Sequence, residues 1–164
     1  MSAAARKRKG KGKPALAAPG AVLRGRYKVD KLIGVGNYGS CWLARDGEAG
    51  DAFRVVKQVH SSQTVSEEDL SRATQEATLL SQLKHPHIVR FYDQFVDYNC
   101  VNIVCEYCDG GDLSDAIEAQ RKPTEGGPAV PFGQHVVLSW LVQLTTALSY
   151  MHERRILHRD VKTK

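Results

Sequence analysis

The sequence predicts an α+β domain: a five-stranded antiparallel sheet with one helix, followed by a helical part that the chain leaves incomplete. Three observations carry this prediction. Short alternating or β-branched runs recur between turns rich in Gly and Asp, the pattern of a meander. One segment with 3.6-residue apolar spacing interrupts them. A later helical stretch is apolar around most of its circumference, and no further segment follows to cover its far side.

Each element has its own signal. Residues 1–25 open on Arg6-Lys7-Arg8-Lys9 and continue in Lys, Gly, Pro and Ala without apolar periodicity, which predicts a disordered basic tail. From Tyr27 the chain alternates through Val29 and Ile33 into Gly34-Val35-Gly36-Asn37-Tyr38-Gly39, then Ser40-Cys41-Trp42-Leu43-Ala44. This reads as strand, glycine turn, strand. A second tight turn from Asp46 to Asp51 leads to Phe53–Val59, an apolar, β-branched run with Lys57 set into it. Ser66 with Asp69 three residues on resembles a capping box, and Ala73, Ala77, Leu80 and Leu83 then line one helical face. His85-Pro86 ends this helix. Ile88–Tyr92 and Cys100–Tyr107 read as the last two strands, separated by a polar turn around Asp97 and Asn99. Asp109-Gly110-Gly111 is a flexible link, and Asp112 is a good N-cap for a short helix through Ile117. Residues 121–131 form a loop, and a long apolar helix runs from about Gly133 to Glu153. The chain thus divides into a tail (1–25), a sheet part (26–107) and a helical part (108–164).

Its 164 residues suffice for one core. The formal charge of +5 is local, because residues 1–20 hold six of the 23 Lys and Arg and no acid. The body is nearly neutral, which argues against a nucleic-acid-binding surface and leaves at most weak contact through the tail. That tail reads as a solubilising leader or a nuclear-localisation segment. Cys41, Cys100, Cys105 and Cys108 fall on apolar, strand-like stretches without a second pair at zinc spacing. They read as reduced thiols of a cytoplasmic or nuclear protein. No apolar run approaches membrane-spanning length, and no secretory signal stands out, so no membrane association is expected.

Three constellations carry chemistry. Gly-x-Gly-x-x-Gly by itself is a weak signal, but a dinucleotide site requires a helix to open at the glycines. Here a strand follows instead, so by themselves the glycines read either as an ordinary glycine-rich hairpin or as a flap whose backbone N–H groups are able to lie over phosphates. Lys57 on an apolar strand and Glu76 on an apolar helix face each need a partner, and pairing them satisfies both. His158-Arg159-Asp160-Val161-Lys162 then supplies a carboxylate to accept a hydroxyl proton and a cation to steady a moving phosphoryl group.

In order and spacing, residues 27–164 resemble the N-terminal part of a eukaryotic protein kinase domain. Tyr107–Leu113 together with His152–Lys164 is most similar to the NIMA-related serine/threonine kinases. The resemblance implies a protein-kinase-like N-lobe with an incomplete helical C-lobe, and an ATP-dependent serine/threonine kinase acting on a protein substrate. It places Ile33, Gly34, Val35, Gly36, Asn37, Tyr38, Gly39, Ser40 and Cys41 around the ATP phosphates and adenine. Lys57 would hold the α- and β-phosphates and Glu76 would hold Lys57. Cys105 would gate the back of the pocket, Glu106 and Cys108 would meet adenine, and Asp112 the ribose. Asp160 would be the base and Lys162 the phosphate-side cation. Mg²⁺ would be bound by residues beyond 164, so this polypeptide alone is expected to be an inactive fragment. An alternative is a short non-catalytic isoform acting as a protein-binding module. Cys41 and Val55 depart from the family's usual Val and Ala, and both should roof the adenine, narrowing its pocket.

Overall fold

The computed structural model describes residues 17–36, 39–59, 67–97, 100–121 and 130–163, without the side chains of 36, 67–70, 72, 73 and 76. The expected tail through residue 16, the glycine-turn residues Asn37 and Tyr38, Ser66, Asn99, most of the loop 121–131, and Lys164 lie outside the described residues.

Six antiparallel strands form one sheet: β1 (Val22–Leu23), β2 (Tyr27–Gly36), β3 (Gly39–Asp46), β4 (Ala52–Val59), β5 (Phe91–Asp97) and β6 (Cys100–Glu106). Their spatial order is β1-β2-β3-β4-β6-β5. The helices are α1 (Glu67–Gln82), between β4 and β5, then α2 (Leu113–Arg121) and α3 (Gln134–Glu153).

The sixth strand corrects the expected five, and with it the expectation that residues 17–25 are disordered. Val22 and Leu23 pair with Lys28 and Tyr27, and Leu23 is fully buried. Complete burial of such a side chain contributes on the order of 1.5–3 kcal/mol toward holding this segment against the sheet. A second correction concerns β5, expected at Ile88–Tyr92 and found at Phe91–Asp97. Its polar Asp93 and Asp97 concealed it. Arg24 reaches across to both, with its guanidinium 2.8 Å from Asp93 and its backbone N–H donating to Asp97 over 2.9 Å.

The two sheet faces are distinct. Leu23, Tyr27, Val29, Trp42, Ala44, Val56 and Val104 form one buried cluster. On the opposite face Ala77 of α1 packs with Val101 and Ile103, beside Val59, Leu80, Phe91 and Cys105. Strand β2 does not keep the simple alternation expected of it. Its pairing with β3 shifts register between Val29 and Lys31 and again between Leu32 and Gly34, which leaves Ile33 exposed rather than in the buried row.

Asp46 anchors the far end of β3. Its carboxylate is wholly buried and is gripped by Arg26 at 2.6 and 2.9 Å, with Arg54 3.6 Å away. It also accepts the backbone N–H of Glu48, closing the tight turn.

The helical part attaches through Tyr150 of α3. The Tyr150 hydroxyl accepts the backbone N–H of Lys84 over 2.9 Å, and its ring lies 5.1 Å from that of His85. Only Ala147 and Met151 of α3 are buried, so the all-round burial its apolar pattern predicts is not observed in this chain. Val137, Leu138, Leu141, Val142 and Leu144 stay exposed. Among the described residues, no helix is long and apolar enough to cross a membrane.

Candidate active site

The glycine turn joins β2 to β3, with Gly36 paired to Gly39 and Gly34 to Cys41. The two outer glycines differ in what they require. A Cβ at Gly34 would meet Cys41 at an ordinary 3.9 Å, whereas one at Gly39 would fall on the carbonyl oxygen of Gln58. Gly39 is therefore dictated by the close approach of β3 to β4, and Gly34 is not.

Register places the neighbouring side chains. Cys41 lies opposite Lys57, and Lys57 opposite Ile103. Val55 lies opposite Leu43 and Cys105. Directly opposed residues point to the same face of a sheet, so Cys41, Val55, Lys57 and Cys105 share the face on which Ala77 of α1 packs against Ile103. Lys57 is half-buried there. Glu76 belongs to α1, next to Ala77, and its side chain lies outside the described residues. The helix that carries Glu76 therefore packs on the sheet face that carries Lys57, and the expected pair itself lies outside the described residues.

Cys105 is half-buried against the α1 face. The backbone N–H of Glu106 donates to the Arg90 carbonyl over 2.8 Å, while the Glu106 carboxylate accepts the Arg90 N–H. Any contact of the Glu106 backbone with a ligand thus comes from its carbonyl. Cys108 is exposed. Local burial, then the charges of Glu106 and Asp109, push its thiol above the usual cysteine range, so it is a protonated thiol at neutral pH.

Asp112 caps α2 as expected. Its carboxylate accepts the Asp115 N–H over 2.8 Å, and Asp115 returns the interaction to the Asp112 N–H at 3.4 Å. A ribose hydroxyl at this position would share the carboxylate with the cap.

After α3 the chain turns through Arg155 and Arg159, both in left-handed backbone conformations. Asp160 and Lys162 form an exposed ion pair at 2.6 Å. The hydrogen bond and charge of Lys162 hold the Asp160 carboxyl below its ordinary range, so it is an available proton acceptor throughout the neutral range. Sequence reasoning missed the tether of this loop. The Ser114 hydroxyl donates to Thr163 Oγ1 over 2.8 Å, and the Ser114 N–H to the Thr163 carbonyl over 2.9 Å. The Asp160 loop is thereby fastened to the start of α2, where the sheet hands over to the helices. A Thr beside two lysines carries no sequence signal for such a contact.

Residues 27–164 match the family model for the protein kinase domain. The chain is 37% identical over 148 residues to the human serine/threonine-protein kinase Nek11, covering 89% of this chain and 22% of that protein. It is also 37% identical over 140 residues to human Nek5, covering 85% of this chain and 18% of the relative. The chain thus spans about a fifth of the length of these curated relatives. Among solved structures, the PknI kinase domain of Mycobacterium tuberculosis superposes with a TM-score of 0.69 at 26% identity, over 90% of this chain and 56% of that one.

Proposed function

The chain belongs to the protein kinase family, in its NIMA-related branch, and from that premise we propose that it is the nucleotide-holding part of an ATP-dependent serine/threonine kinase. One juxtaposition carries the reading. A half-buried Lys57 shares a sheet face with Cys41, Val55 and Cys105, two rungs from a hairpin that admits only glycine at residue 39.

A triphosphate fits this arrangement. Gly34, Gly36 and Gly39 leave the backbone without a side chain at three positions where a phosphate can approach it, and Lys57 neutralises phosphate charge from the strand below. Glu76 on α1 orients Lys57. Adenine lies against Cys41 and Val55, with Cys105 behind it, the Glu106 carbonyl and Cys108 at its edge, and Asp112 toward the ribose. Asp160 accepts the proton of a serine or threonine hydroxyl as it attacks, and Lys162 steadies the transferring group. The family's Mg²⁺ has no donor set among the described residues. Charge neutralisation by the chain's own groups falls to Lys57 and Lys162.

The test is transfer of labelled γ-phosphate from ATP to a serine- and threonine-containing protein by the full-length protein. Asp160→Asn should lower kcat by about 10²–10⁴-fold with little change in nucleotide affinity. Equal turnover in the variant would exclude Asp160 as the base. A second reading, a non-catalytic module that binds another polypeptide, draws on the exposed apolar residues of α3. It would be preferred if the full-length protein bound ATP without transferring phosphate.

A further inference from the structure

The segment 17–26 precedes the part matched by the family model, which begins at residue 27, yet it is built into the core. Ala17 and Leu23 are buried in the same cluster as Tyr27, Trp42 and Val104. Gly20 donates its N–H to the Val29 carbonyl and Val29 returns one to Ala21, both at 2.8 Å. Arg24 fastens the far end to Asp93 and Asp97 on β5. The segment is a strap that touches β4 at Ala17, extends the sheet beside β2 through Val22 and Leu23, and reaches the β5 edge through Arg24.

Its contact with β4 is a chain of buried polar groups. The Ala17 N–H donates to Gln58 Oε1 over 3.1 Å, and Gln58 Nε2 donates to Asn102 Oδ1 over 3.2 Å. Asn102 Nδ2 in turn donates to the Cys100 carbonyl at 3.1 Å. Gln58 and Asn102 are both fully buried, and they oppose each other across β4 and β6. Buried amides of this kind specify one arrangement only while every partner is present.

Gln58 is also the residue on which the nucleotide site leans. It follows Lys57 in β4 and lies opposite Ser40 in β3. Its carbonyl occupies the space a side chain at Gly39 would need. We propose that residues 17–26 act as a positioning strap, which through Gln58 fixes the glycine turn and Lys57 relative to one another and so sets nucleotide affinity from outside the family domain. The functional half of this proposal rests on the nucleotide-site reading above; the mechanical half does not.

The experiment compares the unaltered chain with Ala17→Pro, which removes the N–H that donates to Gln58 Oε1, and with a deletion of residues 2–20. Amide hydrogen exchange is followed at residues 39–41 and 57–59, and binding of a fluorescent ATP analogue is titrated in parallel. Met151→Ala, which truncates a buried side chain of α3 away from the strap, serves as a control for general loosening of the fold. Loss of a buried partner should raise exchange at those amides and weaken analogue binding in both strap variants, each by about tenfold. Met151→Ala should do neither. Exchange at those amides that is unchanged in both strap variants, or that rises equally in Met151→Ala, would overturn the proposal. If exchange responds as expected but the unaltered chain takes up no analogue, the strap coupling stands and the nucleotide assignment falls.

Discussion

Two side chains illustrate how differently residues register in a sequence. Lys57 was legible because a cation in a β-branched run is anomalous and demands an explanation. Asp46 was not, since an Asp before Gly reads only as a turn former. In the structure it is the most enclosed carboxylate described, held by Arg26 and approached by Arg54. The Arg26 hydrogen bond is the main reason its carboxyl is held below the ordinary range, with the charges of Arg26 and Arg54 adding to it. A group with a depressed folded-state value contributes stability that is fully present above its unfolded value, about 4. That contribution is lost as the pH falls through the lower folded-state value. Asp46→Asn should cost about 3 kcal/mol at neutral pH, the scale for breaking a buried ion pair. Its unfolding curve should also flatten below pH about 4; a variant with the same acid dependence as the parent would contradict this. Val55 bears on specificity. It opposes Cys105 across the strands on the site face, so Val55→Ala should widen the adenine pocket. Bulky adenine mimics should then bind at least about tenfold more tightly, roughly the worth of two methyl groups, and unchanged affinity in a competition titration would reject the roof assignment.

At the scale of elements, the strands with a clean pattern were readable and those with borrowed stabilisation were not. Strand β6 is apolar at most of its positions, Asn102 and the terminal Glu106 excepted, and matches its expected span to one residue. Strand β5 was expected a few residues too early, at Ile88–Tyr92, because its acids are satisfied by Arg24, about seventy positions earlier in the chain. The short β1 was hidden for a related reason: two apolar residues at the end of a basic tail carry no period of their own. The glycine motif was read correctly as a turn between strands, although its spacing alone could not say which glycine is indispensable. The close approach of β4 makes that Gly39. Gly39→Ala should force β3 and β4 apart at the Gly39–Val59 pair, lowering the melting temperature by several degrees, about 1–3 kcal/mol of overpacking. Gly34→Ala should shift it by less than a third as much. Equal shifts in the two variants would show that the turn, and not the β4 contact, sets the requirement.

For the whole molecule, the sheet carries Cys41, Val55, Lys57 and Cys105, the residues of the proposed nucleotide site, on the face that α1 covers, and its larger buried cluster on the other. Tyr150 bonded to Lys84 then joins the helical part to the segment after α1, while Ser114 bonded to Thr163 holds the loop that carries Asp160 against α2 within the helical part. The α+β class and the order of elements were legible because local patterns and turn chemistry agree with the fold at nearly every step. The strap and the Ser114–Thr163 tether were not, because both depend on contacts between residues more than forty positions apart. The claim on which the functional account stands is that Lys57 meets the phosphates of a bound nucleotide. An adenosine triphosphate analogue that acylates nearby amines, followed by mass spectrometry, tests it directly. The account predicts modification concentrated on Lys57 and suppressed by excess ATP. Modification spread over the exposed lysines and indifferent to ATP would contradict it.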